Sequence, residues 1–299
     1  MNNQESVTGY TRNPILTIGI GEKSARTLNI LKNSGRGLVD YFALNTEKLI
    51  NDAFSVKTRM EEVLFNHHKL IIMVVGYDDQ KAIKEALVVA EVAKMFALQI
   101  IGVVLVPLSF EDFQKSYQDT ESLDTLMKNI DLLIVIPNNY LIRVDGKTTS
   151  TESYGQADHL VISAVSCITS IGTGTGILNI PFADLLSMTR NKGIGFVIEG
   201  AASGENRGVN AAANAFSSQL TIPQIISKAK YLIIYIVSKS DDITINELGE
   251  MLDFLTTIVD ENCEFLWNVF NDGEIDEEIK ITIMGIEFDD PLVLSILQN

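Results

Sequence analysis

Short, uninterrupted apolar runs that alternate with helix-period segments constrain this chain more than any other feature. Ile15–Ile20, 41–44, 70–75, Gln99–Val106 and 132–136 have strand length and lack the polar alternation of a half-exposed sheet. Strands covered by helices on both faces read this way. Between them, 23–33 and 79–96 have helical spacing. The second carries Ile83, Ala86, Leu87, Ala90, Ala93 and Ala97 on one broad apolar face. Such alternation predicts an α/β fold with a parallel sheet.

After the polar stretch 145–153 the pattern changes. A helix is predicted over 154–171, then one over 181–190 with Pro181 in its first turn. A strand over 193–201 and a helix over 205–217 follow. The remainder comprises a strand over 231–237, a helix over 245–259, the segment 264–269 and a strand over Ile279–Phe288. These make a smaller α+β unit. The expected division is 1–153, a central helix with its following loop over 154–180, and 181–299.

With 299 residues and 46% apolar content, the chain can bury one large core or two modest ones. Mean hydropathy is +0.18, yet no run reaches the roughly 18 apolar residues of a membrane span. The N-terminal Met1-Asn2-Asn3-Gln4-Glu5-Ser6 lacks a signal-peptide core, so a cytoplasmic location is expected. Cys167 and Cys263 fall in apolar patterns and are expected as buried free thiols. Residues 1–150 hold 16 Lys/Arg against 18 Asp/Glu, whereas 151–299 hold 7 against 21. So acidic a second half argues against nucleic acid and anionic lipid as direct partners. His67, His68 and His159 have no metal-site spacing, and no metal is expected. Trp267 and Phe270, with Phe265 and Leu266, are expected in the core or on a filament-type contact surface.

Two glycine-bearing turns invite comparison with phosphate loops. Gly19-Ile20-Gly21 closes the first predicted strand, but Glu22-Lys23-Ser24 follows where more glycine would suit a phosphate. Gly172-Thr173-Gly174-Thr175-Gly176 looks like a phosphate loop but follows a helix rather than a strand.

Several strings, in order and almost without gaps, resemble the bacterial tubulin homologue FtsZ over roughly residues 14–290. They are Ala43-Leu44-Asn45-Thr46-Glu47, Ala90-Glu91-Val92-Ala93-Lys94, Gly102-Val103-Val104 with Ser109-Phe110-Glu111, Leu133-Ile134-Val135-Ile136-Pro137-Asn138, Phe182-Ala183-Asp184 and Ser203-Gly204-Glu205-Asn206-Arg207. The resemblance implies a tubulin/FtsZ-like fold: a Rossmann-like parallel-sheet GTPase domain joined by a central helix to a smaller α+β domain. It implies GTP or GDP as ligand, and head-to-tail self-association or association with FtsZ-type subunits. By the same resemblance the nucleotide contacts are Gly19, Ile20, Gly21, Gly76, Glu111, Asn138, Tyr154 and Asp158. Tyr154 would stack on the base and Asp158 would read the guanine N–H groups. Catalysis would fall to Asn179 and Asp184.

The departures matter as much. The family's glycine-rich signature loop aligns onto Asp78-Asp79-Gln80-Lys81-Ala82-Ile83-Lys84, which has no glycine. Without it, backbone N–H groups cannot close on a phosphate. An Asp at the helix start would cap the free amides itself. In the catalytic loop one of the family's two aspartates is Pro181. GTP binding and hydrolysis are therefore expected to be weakened or lost. Two alternatives stay open: a slow GTPase using Lys23, Lys81 or Lys84 with Asp184, and a non-polymerising regulator that binds a protein partner. The family's flexible tail, which docks membrane anchors, is not expected after Gln298-Asn299, and direct membrane binding is not expected.

Overall fold

The computed structural model describes residues 13–33, 40–44, 58, 68–76, 80–106, 120–137, 150–173, 180–217, 221–240, 242–273 and 275–288. The first half builds β1 (Ile15–Ile20), α1 (Glu22–Asn33), β2 (Asp40–Leu44), β3 (Leu70–Gly76), α2 (Gln80–Met95), β4 (Gln99–Val106), α3 (Thr120–Asn129) and β5 (Leu132–Pro137). The second half adds α4 (Ser150–Thr173), α5 (Phe182–Thr189), β6 (Gly193–Ala202), α6 (Arg207–Phe216) and α7 (Thr221–Ile226). It closes with β7 (Ala229–Ser238), α8 (Ile245–Ile258), β8 (Glu264–Asn271) and β9 (Ile279–Phe288).

The nine strands among the described residues form one sheet in the order β2-β1-β3-β4-β5-β6-β9-β7-β8. The expected parallel sheet is present from β2 through β6, with β6 joining β5 by the register Leu132↔Gly193 to Val135↔Phe196. β9 runs antiparallel to both β6 and β7, and β8 lies parallel to β7 at the edge. Adjacent residues of each strand point to opposite faces. Thus Leu16, Ile18 and Ile20 join one core with α2, α3, α6, α7 and α8. Ile15 joins the other, with α1, α4 and α5. Both faces are covered, as the unalternating strands require.

The central helix α4 buries Leu160, Val161, Ala164, Val165, Cys167, Ile168 and Ile171 to 2% exposure or less. Each of its larger aliphatic side chains contributes about 1.5–3 kcal/mol relative to exposure. Its buried polar residues are small, and Thr169 Oγ1 donates back to Val165 O at 2.8 Å. That internal satisfaction lets a polar residue sit inside the core.

Boundaries differ from expectation for local reasons. α2 ends at Met95; Ala97 stands beyond it, exposed, with φ 55°. Ala97 N–H donates to Lys94 O and Leu98 N–H to Ala93 O, a Schellman end that takes Ala97 out of the apolar stripe. α4 opens at Ser150, ahead of the expected start. Pro181 is not in the first turn of α5 but caps it in extended conformation. The helix expected from residue 205 starts at Arg207, after Gly204 (φ 82°) and a left-handed Asn206. Neither α3 nor the six-residue α7 is foreseen, because α3 is mostly polar and α7 carries Pro223.

Cys167 is buried and free as expected. Cys263 is free but only half-buried, just before the edge strand. Burial and the neighbouring Asp260 and Glu264 push its thiol up to about 12. At pH 7.5 its labelling by a thiol-disulfide reagent is expected to run on the order of 10³ slower than that of free cysteine, because the thiolate reacts. Comparable rates in a stopped-flow assay would contradict that environment. On β8, Phe265, Leu266 and Trp267 are half-buried. Phe270 is buried, its ring 4.9 Å from that of Tyr235.

Candidate functional site

Strand order 2-1-3-4-5 places a topological switch between β1 and β3, and ligands of open α/β sheets bind beyond the strand C-termini at such a point. The register pairs Ile20 with Val75, so Gly21 and Gly76, the next residues, meet at this edge. Only Gly21 separates β1 from α1, and its φ of 92° suits glycine alone. Helices α1 and α2 both present N-termini here, where unpaired amides and the helix dipole favour an anion.

The two flanking residues serve the fold. A Cβ on Gly19 would lie 2.6 Å from Leu28 Cδ1 and 2.9 Å from Ser24 O. Gly19 therefore admits α1 close against β1. Ile20 is fully buried in the α2-side core, which leaves only its backbone for the crevice. Gln80 and Lys81 open α2, and Lys84 one turn on is exposed.

Asp158 is brought to α1. It is half-exposed on α4, and its Oδ1 accepts a hydrogen bond from Thr27 Oγ1 at 2.9 Å. Thr27 is 3% exposed. Sequence reasoning missed Thr27. Its signal was a polar residue inside the buried stripe Ser24, Thr27, Leu28 and Leu31 at i, i+3, i+4, i+7 spacing. Tyr154 lies in the same helix, one turn earlier.

Asp184 lies elsewhere. It is exposed in the first turn of α5, its N–H donating to Pro181 O at 3.0 Å. α5 packs beside Gly172, where a Cβ would come within 2.4 Å of Ile15 Cδ1 and 3.2 Å of the Phe182 ring. Ile15 starts β1 and Gly21 follows its end, so Asp184 and the glycine crevice occupy opposite edges of the sheet. Gln99, at the start of β4, anchors α5 there. Its Nε2 donates to Leu186 O at 2.9 Å and to Thr189 Oγ1 at 2.7 Å. Gly172 and Thr173 are the last residues of α4, so this part of the glycine run is helix and Gly172 serves packing.

Asp78, Asp79, Glu111, Asn138, Asn179 and His67 lie outside the described residues. His68 is buried, its Nε2 lying 3.0 Å from Asp40 Oδ2. Among the described residues no group of His, Cys, Asp or Glu could hold a metal. No described helix is long and apolar enough to cross a membrane. A cavity of about 480 Å³ separates α4 from β7 and β9, with His159, Ser163, Tyr235 and Lys280 in its walls. Lys280 Nζ is paired there with Glu199 Oε1 at 2.9 Å and donates to Ser163 Oγ at 3.2 Å.

A parallel sheet with a glycine turn and two helix N-termini at its switch point defines the class of α/β nucleotide-binding folds. Within that class the fold is that of FtsZ and its tubulin-like relatives, and residues 193–289 match the C-terminal domain of the FtsZ family. FtsZ from M. jannaschii, solved as an empty dimer, is 21% identical; the match covers 92% of this chain and 88% of that one, with a TM-score of 0.81. CetZ2 from Haloferax volcanii, solved as a protofilament with GTPγS bound, is 13% identical over 95% of this chain and 96% of that one, with a TM-score of 0.69. CetZ1 from Haloferax volcanii, a GDP-bound monomer, is also 13% identical, over 95% and 97%, with a TM-score of 0.69.

Proposed function

We propose that this protein is a cytoplasmic, FtsZ-like filament subunit of the cell-division type, which assembles head to tail and binds and hydrolyses GTP only weakly. One observation carries the reading: the glycine crevice and Asp184 sit on opposite edges of the same sheet. A site split in this way is completed when one subunit's crevice meets the next subunit's α5 edge. Such a contact is heterologous and propagates as a filament. The protofilament of the structurally similar CetZ2 supports this reading. In it, 1–153 forms the nucleotide-binding part, 154–180 the central helix and catalytic-loop equivalent, and 181–299 the activation domain.

Weak binding follows from the sequence after the glycine turn and before α2. Gly21 is retained, but Glu22 takes the next position and Asp78-Asp79 replace glycines before α2. Each carboxylate opposes a triphosphate by about 1 kcal/mol in wet surroundings, and by several kcal/mol at an effective dielectric near 20. With Pro181 in place of an aspartate, only Asp184 remains of the carboxylate pair that orients water.

Fluorescent-GTP titration and negative-stain electron microscopy, with GTP, with GDP and without nucleotide, test this reading. The expected result is a Kd weaker than about 1 μM, with filaments in at least one condition. Submicromolar affinity with GTP-dependent assembly and turnover would establish a working GTPase instead. Monomers in every condition would leave the regulator.

A further inference from the structure

We infer that Thr27 is the positioning residue that sets base selectivity through Asp158. This deepens the guanine-nucleotide reading and rests on it.

Thr27 lies one turn into α1, on the face that packs Leu28 and Leu31 against the sheet and α4. A hydroxyl at 3% exposure needs a partner in such a place. The 2.9 Å bond to Asp158 Oδ1 supplies one, across 131 residues of sequence. Donor and acceptor are unequal in what they allow. The hydroxyl donates and the carboxylate oxygen accepts, so the bond fixes which way the Asp158 side chain is turned. It also restrains an aspartate side chain on a helix surface, where several rotamers would otherwise be open. Among the described residues, Oδ2 has no hydrogen-bond partner, and Asp158 keeps contact with solvent.

What remains is a fixed acceptor at the α1–α4 junction, next to the helix whose N-terminus lines the crevice. A fixed acceptor selects a ligand edge that carries N–H donors. The guanine edge, with its ring N–H and amino group, meets that requirement. The adenine edge presents an acceptor nitrogen in the corresponding place and is refused. Specificity of this kind depends on orientation, because a freely rotating carboxylate can turn away from a mismatched base at little cost.

The test compares wild type with Thr27→Val, which keeps the shape and removes the donor, with Thr27→Ser, which restores it, and with Asp158→Asn. Each is titrated calorimetrically with GTP and with ATP, after circular dichroism has established that it folds. Thr27→Val is expected to lose about fivefold or more in GTP affinity with ATP affinity unchanged, so that the GTP-to-ATP ratio falls. Thr27→Ser should return the ratio to the wild-type value, which a purely packing role would not require. An unchanged ratio in Thr27→Val, with GTP binding by wild type and its loss in Asp158→Asn, overturns the role of Thr27 alone. No GTP binding by wild type at millimolar concentration overturns the nucleotide reading, and this inference with it. If Thr27→Val does not fold, a Thr27→Ser variant that folds but lacks the wild-type ratio also overturns the inference.

Discussion

Replacing Gly200 by alanine is expected to lower the melting temperature by about 6 °C or more. Gly200 lies in β6 where α6 crosses it, and a Cβ there would sit 2.1 Å from Ala211 O and 2.4 Å from Ala215 N. Both obstacles are backbone atoms, so no rotamer change relieves the clash. The whole of α6 must lift. Its contact face is Ala211, Ala212 and Ala215, all fully buried, and small side chains cannot refill the gap that lifting leaves. One turn earlier in α6, Gly208 lies against Glu247 and Met251 of α8, so the displacement passes into the next helix. The estimate corresponds to about 3 kcal/mol, the upper part of the range for overpacked cores. A differential scan with Gly200→Ala within about 1 °C of wild type would show that α6 does not approach this closely.

Arg207→Met is the second large effect, expected at about 2–3 kcal/mol and about 4–6 °C. The side chain is 11% exposed and touches three carboxylates. Nε donates to Glu247 Oε1 at 2.9 Å, one terminal nitrogen to Asp242 Oδ1 at 2.8 Å and the other to Glu278 Oε2 at 3.2 Å. These partners belong to α8, the turn before it and the turn entering β9. One guanidinium thus joins three segments to the start of α6. A cation at a helix N-terminus opposes the dipole, and the carboxylates offset that. Hydrogen bonds to Glu247 and Asp242 hold the guanidinium charged well beyond its usual range. Removing it leaves Glu247, with a side chain 20% exposed, unpaired among like charges. Two of the three carboxylates are 58% and 46% exposed, so solvent screens part of the loss.

The acid limb gives a separate readout. The hydrogen bond from Arg207 holds Asp242 below its ordinary carboxylate value. A depressed folded pKa contributes stability that is fully present above the unfolded value, near pH 4, and is lost as pH falls through the folded one. The difference in melting temperature between wild type and Arg207→Met should therefore be largest near pH 7 and shrink toward pH 3. A difference independent of pH would mean that lost packing, not charge pairing, accounts for the effect.

Particular residues show how far the sequence could be read. Strands β1, β4 and β9 match their expected bounds, because a run of apolar residues buried on both faces is a local signal. The start of α8 was equally readable. Thr244 and Glu247 have capping-box spacing, and Thr244 Oγ1 accepts the Glu247 N–H at 3.1 Å. α3 was not readable: its ten residues include only Leu123, Leu126 and Met127 as apolar ones, too few to mark a helical face. Ala97 was misplaced because spacing alone cannot see a helix turning into a left-handed end. In the candidate site, the Gly19-Ile20-Gly21 turn was visible as a motif. That Gly19 serves packing while Gly21 serves the turn was not, since the difference lies in the approach of Leu28.

By itself the sequence determined the α/β class, the placement of most elements, the glycine turn after the first strand and the absence of glycine from residues 78–84. All of these are properties of residues within a few positions of one another. Only the tertiary structure decided which residues share a place. It set Gly21 beside Gly76, Thr27 against Asp158, Arg207 among three carboxylates and Asp184 at the far edge of the sheet. The reason is that strand order, and not chain order, brings these groups together or holds them apart. The pattern of buried faces states that a strand is covered, but it does not state by what.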